Sequence, residues 1–197
     1  MTRDGYMRFY AGGYRALIAA RSGGPRLRQS THSSVPTYRD IITQLVGVKP
    51  IQTMLDAGGS TGVIGSAVAE AYRADLTVLD PAVQELPATG RTITGWLEDP
   101  LPGQYDLAIC IAMSDHLTDP IKALTNLRQV AKYLYIDFID VLMSQQFGRK
   151  LKLKIDHPLY WTAKAMRRAL AQTGWMMTNS RVIGHKAKYQ FTGVACQ

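Results

Sequence analysis

The sequence is poor in cysteine: of 197 residues, only Cys110 and Cys196 carry a thiol. Two are too few for a disulfide framework, so a reducing, cytoplasmic setting is expected. Long apolar runs are missing as well. None nears the roughly 20 residues that cross a bilayer, and Arg3, Asp4, Arg8 and Arg15 precede no apolar stretch of signal-peptide type. There is no internal repeat, no His/Cys/Asp cluster at metal-ligand spacing, and no serine or cysteine nucleophile elbow, which argues against a hydrolase. Positive charge is ample, at a formal net +8, but forms no long basic block. It gathers around Arg3 to Arg28, Arg149 to Lys154, Arg167-Arg168 and Lys186 to Lys188. Nucleic acid or a phosphorylated substrate is compatible with that balance and not demanded by it.

What the chain does have is a globular composition, 46% hydrophobic and 19% charged, with length for one domain and too little for two ordinary ones. Residues 1–50 differ in texture from 51–197. Tyr6 to Ala20 reads as an aromatic helical segment and Arg21 to Pro36 as a polar loop. Thr37 to Val46 reads as a helix whose Tyr38, Ile41, Ile42 and Leu45 recur at three-to-four spacing. From Ile51 strands and helices alternate. Strands are expected at Thr53 to Ala57, Asp75 to Leu79, Tyr105 to Met113 and Tyr133 to Ile139, with a hairpin of Ser180 to Ile183 and Tyr189 to Ala195. Helices are expected at Val63 to Tyr72, Asp119 to Ala131 (Asp119 as N-cap, Pro120 in the first turn) and Thr162 to Gln172, closed by Gly174. Apolar strands alternating with helices imply an α/β sheet covered on both faces. Such sheets bind ligands beyond the carboxyl ends of their strands. The positions to watch therefore follow Ala57, Leu79, Ile111 and Ile139.

The first strand runs into Asp56-Ala57-Gly58-Gly59-Ser60-Thr61-Gly62, then a helix. Glycines allow a tight turn and a close backbone approach, and a helix start offers unpaired N–H groups. Asp80 ends the second strand, where an acid commonly holds ribose hydroxyls. This is a nucleoside-binding pattern. It is neither the dinucleotide fingerprint, because Ser60 and Val63 occupy the later glycine positions, nor a P-loop, because no Lys-Ser or Lys-Thr follows.

An acid followed by glycines at alternate positions resembles the first motif of the class I S-adenosylmethionine-dependent methyltransferases. Asp56, Gly58 and Gly62 match, and Ser60 stands at the middle glycine. Gly95-Trp96-Leu97-Glu98-Asp99-Pro100-Leu101-Pro102 before Tyr105-Asp106 is similar to the family's adenine loop, with Trp96 where many members have an acid. Ser114-Asp115-His116-Leu117-Thr118-Asp119-Pro120 is similar to its post-strand loop. The resemblance spans Ile51 to Asp140. Phe9-Tyr10 with Tyr14-Arg15, and His157-Pro158-Leu159-Tyr160-Trp161, more faintly resemble methyltransferases of sugars and glycans.

That resemblance implies a Rossmann-like, mostly parallel seven-stranded sheet with an antiparallel C-terminal hairpin strand, helices on both faces and a short helical N-terminal extension or lid. It implies S-adenosyl-L-methionine as cofactor, bound by Asp56, Ala57, Gly58, Gly59, Ser60, Gly62, Asp80, Pro81, Trp96, Leu97, Ile111 and Ala112. The adenine amine would meet apolar Trp96 and Leu97, or Glu98 or Asp99. No metal is implied. His116 and His157 are the candidate bases, although a loop or capping role suits each as well; Asp80-Pro81 would also serve as a turn, and Trp96 as core packing. The expected reaction is methyl transfer to a small-molecule or glycan-type acceptor. A nucleic-acid methyltransferase is the alternative that the charge suggests, against which Ala112-Met113-Ser114-Asp115 replaces the D/N-P-P-Y/F tetrapeptide. A non-catalytic nucleoside-binding scaffold is the third reading. The sequence leaves the acceptor atom, the base and the oligomeric state open.

Overall fold

The computed structural model describes residues 37–81, 90–142, 159, 161–183 and 188–195. The expected segments Tyr6 to Ala20 and Arg21 to Pro36, and the candidate base His157, lie outside the described residues. In chain order the elements are α1 (37–46), β1 (Thr53–Ala57), α2 (Val63–Tyr72), β2 (Asp75–Asp80), β3 (Arg91–Thr94), β4 (Tyr105–Cys110), a 3-10 turn (Ser114–His116), α3 (Pro120–Val130), β5 (Ala131–Ile139), α4 (Ala163–Gln172), β6 (Trp175–Ile183) and β7 (Lys188–Ala195).

The strands form one sheet in the order β3-β2-β1-β4-β5-β7-β6. β3, β2, β1, β4 and β5 run parallel, giving the α/β, Rossmann-like arrangement expected. β7 pairs antiparallel with β5 and with β6. β3 has no counterpart among the segments read from sequence: it is four residues long and largely exposed, so it carries no apolar signature. β4 stops at Cys110, three residues before the expected end. The apolar run continues to Met113, but Ala112 takes φ +50°, which no pleated strand accommodates.

Side chains alternate across the parallel strands and separate two cores. Met54, Leu76, Val78, Leu107, Ile109 and Tyr135 face α1 and α2, and pack with Ile41, Ile42, Val46 and Val68. Leu55, Leu79, Ala108, Cys110, Leu134, Ile136 and Phe138 face α3 and α4, and pack with Leu124, Leu127, Met166, Leu170 and Trp175. Each fully buried Leu, Ile or Phe contributes about 1.5–3 kcal/mol through removal from water. Helix ends follow local chemistry. The Asp119 side chain accepts from Lys122 N at 3.0 Å, and Thr162 Oγ1 accepts from Ala165 N at 3.1 Å, each satisfying an otherwise orphaned N–H. Gly174, at φ +80°, lies just past α4, where a left-handed residue ends a helix at little cost.

Candidate functional site

By the same alternation, Asp56, Asp80 and Asp137 all point to the α1/α2 side, at the carboxyl ends of β1, β2 and β5. Each is buried, at 3%, 3% and 0% exposure. Three buried carboxylates at one sheet edge are costly unless backbone N–H groups meet them, and here such groups do.

Asp56 lies under the glycine turn. Its carboxylate accepts the N–H of Gly65, the third residue of α2, a helix whose N-cap, Gly62, has no side chain to offer. The carboxylate thus occupies the positive end of the helix. A Cβ at Gly59 or Gly65 would run into it. Gly58, at φ +76°, donates its N–H to Leu79 O at 2.7 Å, and Met113 fills the space a Cβ there would need. Burial, and then the charge of Asp80, push the Asp56 carboxyl up to about 7.

Asp80 closes the turn from β2: its Oδ2 accepts from Ser60 N at 3.0 Å. Ser60, the residue at the family's middle-glycine position, adopts φ +51°. An L-residue resists that conformation by about 1–2 kcal/mol, so the bond to Asp80 holds a strained backbone. The N–H of Gly95 donates to Asp80 O at 3.3 Å, which brings half-buried Trp96 next to the strand end. Pro81, also half-buried, follows.

The other sequence-named residues divide. Leu97 is 4% exposed within the α3-side core, and its carbonyl accepts from Asn126 Nδ2 at 2.9 Å. Glu98 is buried, and its Oε1 accepts from Thr118 N at 2.9 Å and Thr118 Oγ1 at 3.0 Å. It ties the β3–β4 loop to the approach of α3, work that keeps its carboxylate inside the protein. The Asp99 carbonyl accepts from Asn126 Nδ2 at 2.8 Å. Ile111 is half-buried and Ala112 exposed, both just past β4. His116 ends the 3-10 turn, half-buried, its N–H donating to Met113 O at 2.9 Å. Trp161 is buried, and its Nε1 donates to Ser114 O at 3.0 Å.

Sequence reading missed Gly65, Met113 and Asp137. A glycine inside a helical pattern costs about 0.5–1 kcal/mol relative to alanine and is itself a signal of close packing; for Asp137, within an apolar strand, only the register identifies a partner. Cys110 is a buried free thiol, which burial and then Asp56 and Asp137 push far up, as expected of a core side chain. Among the described residues no group of acids, histidines and cysteines could hold a metal, and no helix is long and apolar enough to cross a membrane.

A family model described as "Methyltransferase domain" matches residues 24–180. The chain belongs to the methyltransferase family. It has the Rossmann-like fold of the class I enzymes. Solved structures with the same fold include magnesium protoporphyrin IX methyltransferase from Synechocystis PCC 6803 with bound S-adenosylhomocysteine. That match has TM-score 0.69 and 16% identity, covering 98% of this chain and 100% of the other. A putative methyltransferase in complex with the Haloferax volcanii Trm112 methyltransferase activator matches with TM-score 0.71 and 15% identity over 100% of both chains. A Burkholderia thailandensis 1,6-didemethyltoxoflavin-N1-methyltransferase matches with TM-score 0.68 and 14% identity over 95% and 89%. No curated protein matches the sequence.

Proposed function

We propose that this methyltransferase takes its methyl group from S-adenosyl-L-methionine at the carboxyl edge of β1 and β2 and passes it to a small-molecule acceptor. The observation that carries the reading is the clasp of Asp80 on the Ser60 N–H, which joins the glycine turn to the end of β2. The chemistry of this edge fits the cofactor. A carboxylate can accept several hydrogen bonds, so Asp80 can meet ribose hydroxyls while it holds the turn. Asp56 and Asp80 repel each other, and a nearby cation relieves that repulsion. Trp96, beside Asp80, offers an aromatic face to adenine. Gly58 and Gly59 make room for Met113 and the Asp56 carboxylate and so shape the turn on which the cofactor would lie, and Ile111 and Ala112 would form the opposite rim. Leu97 contributes from beneath, as packing.

When bound, the cofactor supplies a sulfonium-activated methyl group for in-line displacement. What the protein adds is alignment and exclusion of water. The turn and Asp80 fix the donor end. His116, on the loop past β4, would take an acceptor proton. The Synechocystis and Burkholderia proteins act on magnesium protoporphyrin IX and 1,6-didemethyltoxoflavin; those precedents support a small-molecule acceptor over a nucleic acid.

Calorimetric titration with S-adenosylmethionine, S-adenosylhomocysteine and NADH tests the reading. Micromolar binding of the first two and none of the third is expected. Asp80→Ala should weaken that binding by about 1–3 kcal/mol. A folded variant with unchanged affinity would remove Asp80 from the site.

A further inference from the structure

We propose that Asp137 is a positioning residue of the methyltransferase site: through the N–H of Ala112 it holds the loop after β4 in a left-handed turn that seats Met113 on the glycine turn. The inference rests on the cofactor lying at that edge, as proposed above.

Asp137 is fully buried near the end of β5. Its Oδ1 accepts from Ala112 N at 2.7 Å, a short, charge-assisted bond of the stronger kind. Ala112 is exposed and adopts φ +50°, a conformation that an alanine holds only when its surroundings impose it. The next residue, Met113, lies against Gly58, so closely that a Cβ there would be 3.0 Å from Met113 Cβ. Ser114 Oγ then donates to Asp137 O at 3.2 Å. One residue of β5 thus grips the loop on both sides of the methionine that covers the turn. An apolar residue would fill the same buried space without desolvating a charge. The acid is used by both its oxygens: Oδ1 directs the loop through the N–H of Ala112, and Oδ2 accepts from the hydroxyl of buried Tyr135 at 3.5 Å.

Three variants test this. Asp137→Leu removes the acceptor and keeps an apolar filling. Asp137→Asn keeps an acceptor oxygen. Ala112→Val leaves Asp137 and the core untouched but puts a β-branched residue where φ is positive, which it tolerates poorly. Two readouts apply: affinity for S-adenosylhomocysteine, and hydrogen exchange of the Ala112 amide in the unliganded protein, with the melting temperature as a check on folding. Asp137→Leu and Ala112→Val should each weaken binding about tenfold without a matching drop in melting temperature. Asp137→Asn should stay within about threefold of wild type. The Ala112 amide should lose protection in Asp137→Leu and keep it in Asp137→Asn. Equal binding by all the proteins, or loss that tracks unfolding, overturns the proposal. If the wild type binds no S-adenosylhomocysteine, the cofactor reading fails, and amide protection alone decides: loss confined to Asp137→Leu upholds the role in the loop, and unchanged protection ends it.

Discussion

The two edges of the parallel sheet treat their aspartates in opposite ways. At the amino edge, Asp106 accepts from Gln52 N at 2.8 Å, Thr53 N at 3.2 Å and Lys132 Nζ at 2.8 Å. Burial works to raise its carboxyl, but the bonds from Lys132, Gln52 and Thr53 and the Lys132 charge outweigh it and hold the group below the usual range. Across the sheet, Asp56 has one backbone donor and an acidic neighbour, and is pushed up to about 7. The first arrangement favours the folded state. The second costs stability wherever Asp56 is ionised; under the function proposed above, that charge would be matched by the cation of the cofactor.

The largest expected effect breaks this contrast at Asp56. Its folded pKa lies above the ordinary 3.8, so the native state binds more protons than the unfolded chain. Its contribution is therefore fully present below about pH 4, falls as pH rises, and levels off above about 7. Asp56→Asn, which keeps an acceptor for Gly65, should gain on the wild type by up to about 4 kcal/mol between pH 4 and 7. Urea denaturation across that range measures it; parallel curves would refute the assignment. Next comes Gly65→Ala. In an ordinary helix this change stabilises, but here the added methyl meets the Asp56 carboxylate, and a loss of about 1–3 kcal/mol is expected. The loss should disappear in an Asp56→Gly background, which removes the Cβ as well as the carboxylate, and persistence there would mean that another contact is responsible.

Smaller still is Ser60→Gly. Relief of the left-handed strain, about 1–2 kcal/mol, is offset by the greater freedom of glycine when unfolded, about 0.4–1 kcal/mol. A net gain of about 0.5–1 kcal/mol in thermal stability is expected, and a loss would show that the serine side chain itself contributes. Asp106→Asn sharpens the comparison from the other edge. Because the Asp106 pKa is depressed, its contribution is present above its unfolded pKa and lost as pH falls through the folded value. The wild type should thus lead this variant at neutral pH and lose the lead on acidification, the opposite sign to Asp56.

The elements were largely legible from periodicity and caps. Thr37 to Val46 and Val63 to Tyr72 form helices over the expected residues, because apolar spacing and flanking glycines act locally. β3 was not legible, since a four-residue, exposed strand leaves no pattern, and β4 was read too long, since an apolar run does not reveal a left-handed alanine. At the site, the sequence named the turn and Asp80. It could not tell that Ser60 is strained and that Asp80 compensates. Nor could it tell that Glu98 is bound to Thr118, that Gly65 makes room for Asp56, or that Asp137 reaches Ala112.

What the sequence determined by itself is the alternation of elements and the family, because hydrophobic period, capping residues and the Asp56 to Gly62 turn are properties of neighbouring residues. Only the tertiary structure decided which acids act together. Strand register brings Asp56, Asp80 and Asp137 to one face of one edge, and burial there, with the charge of Asp80, raises the Asp56 carboxyl while Asp137 turns to the N–H of Ala112.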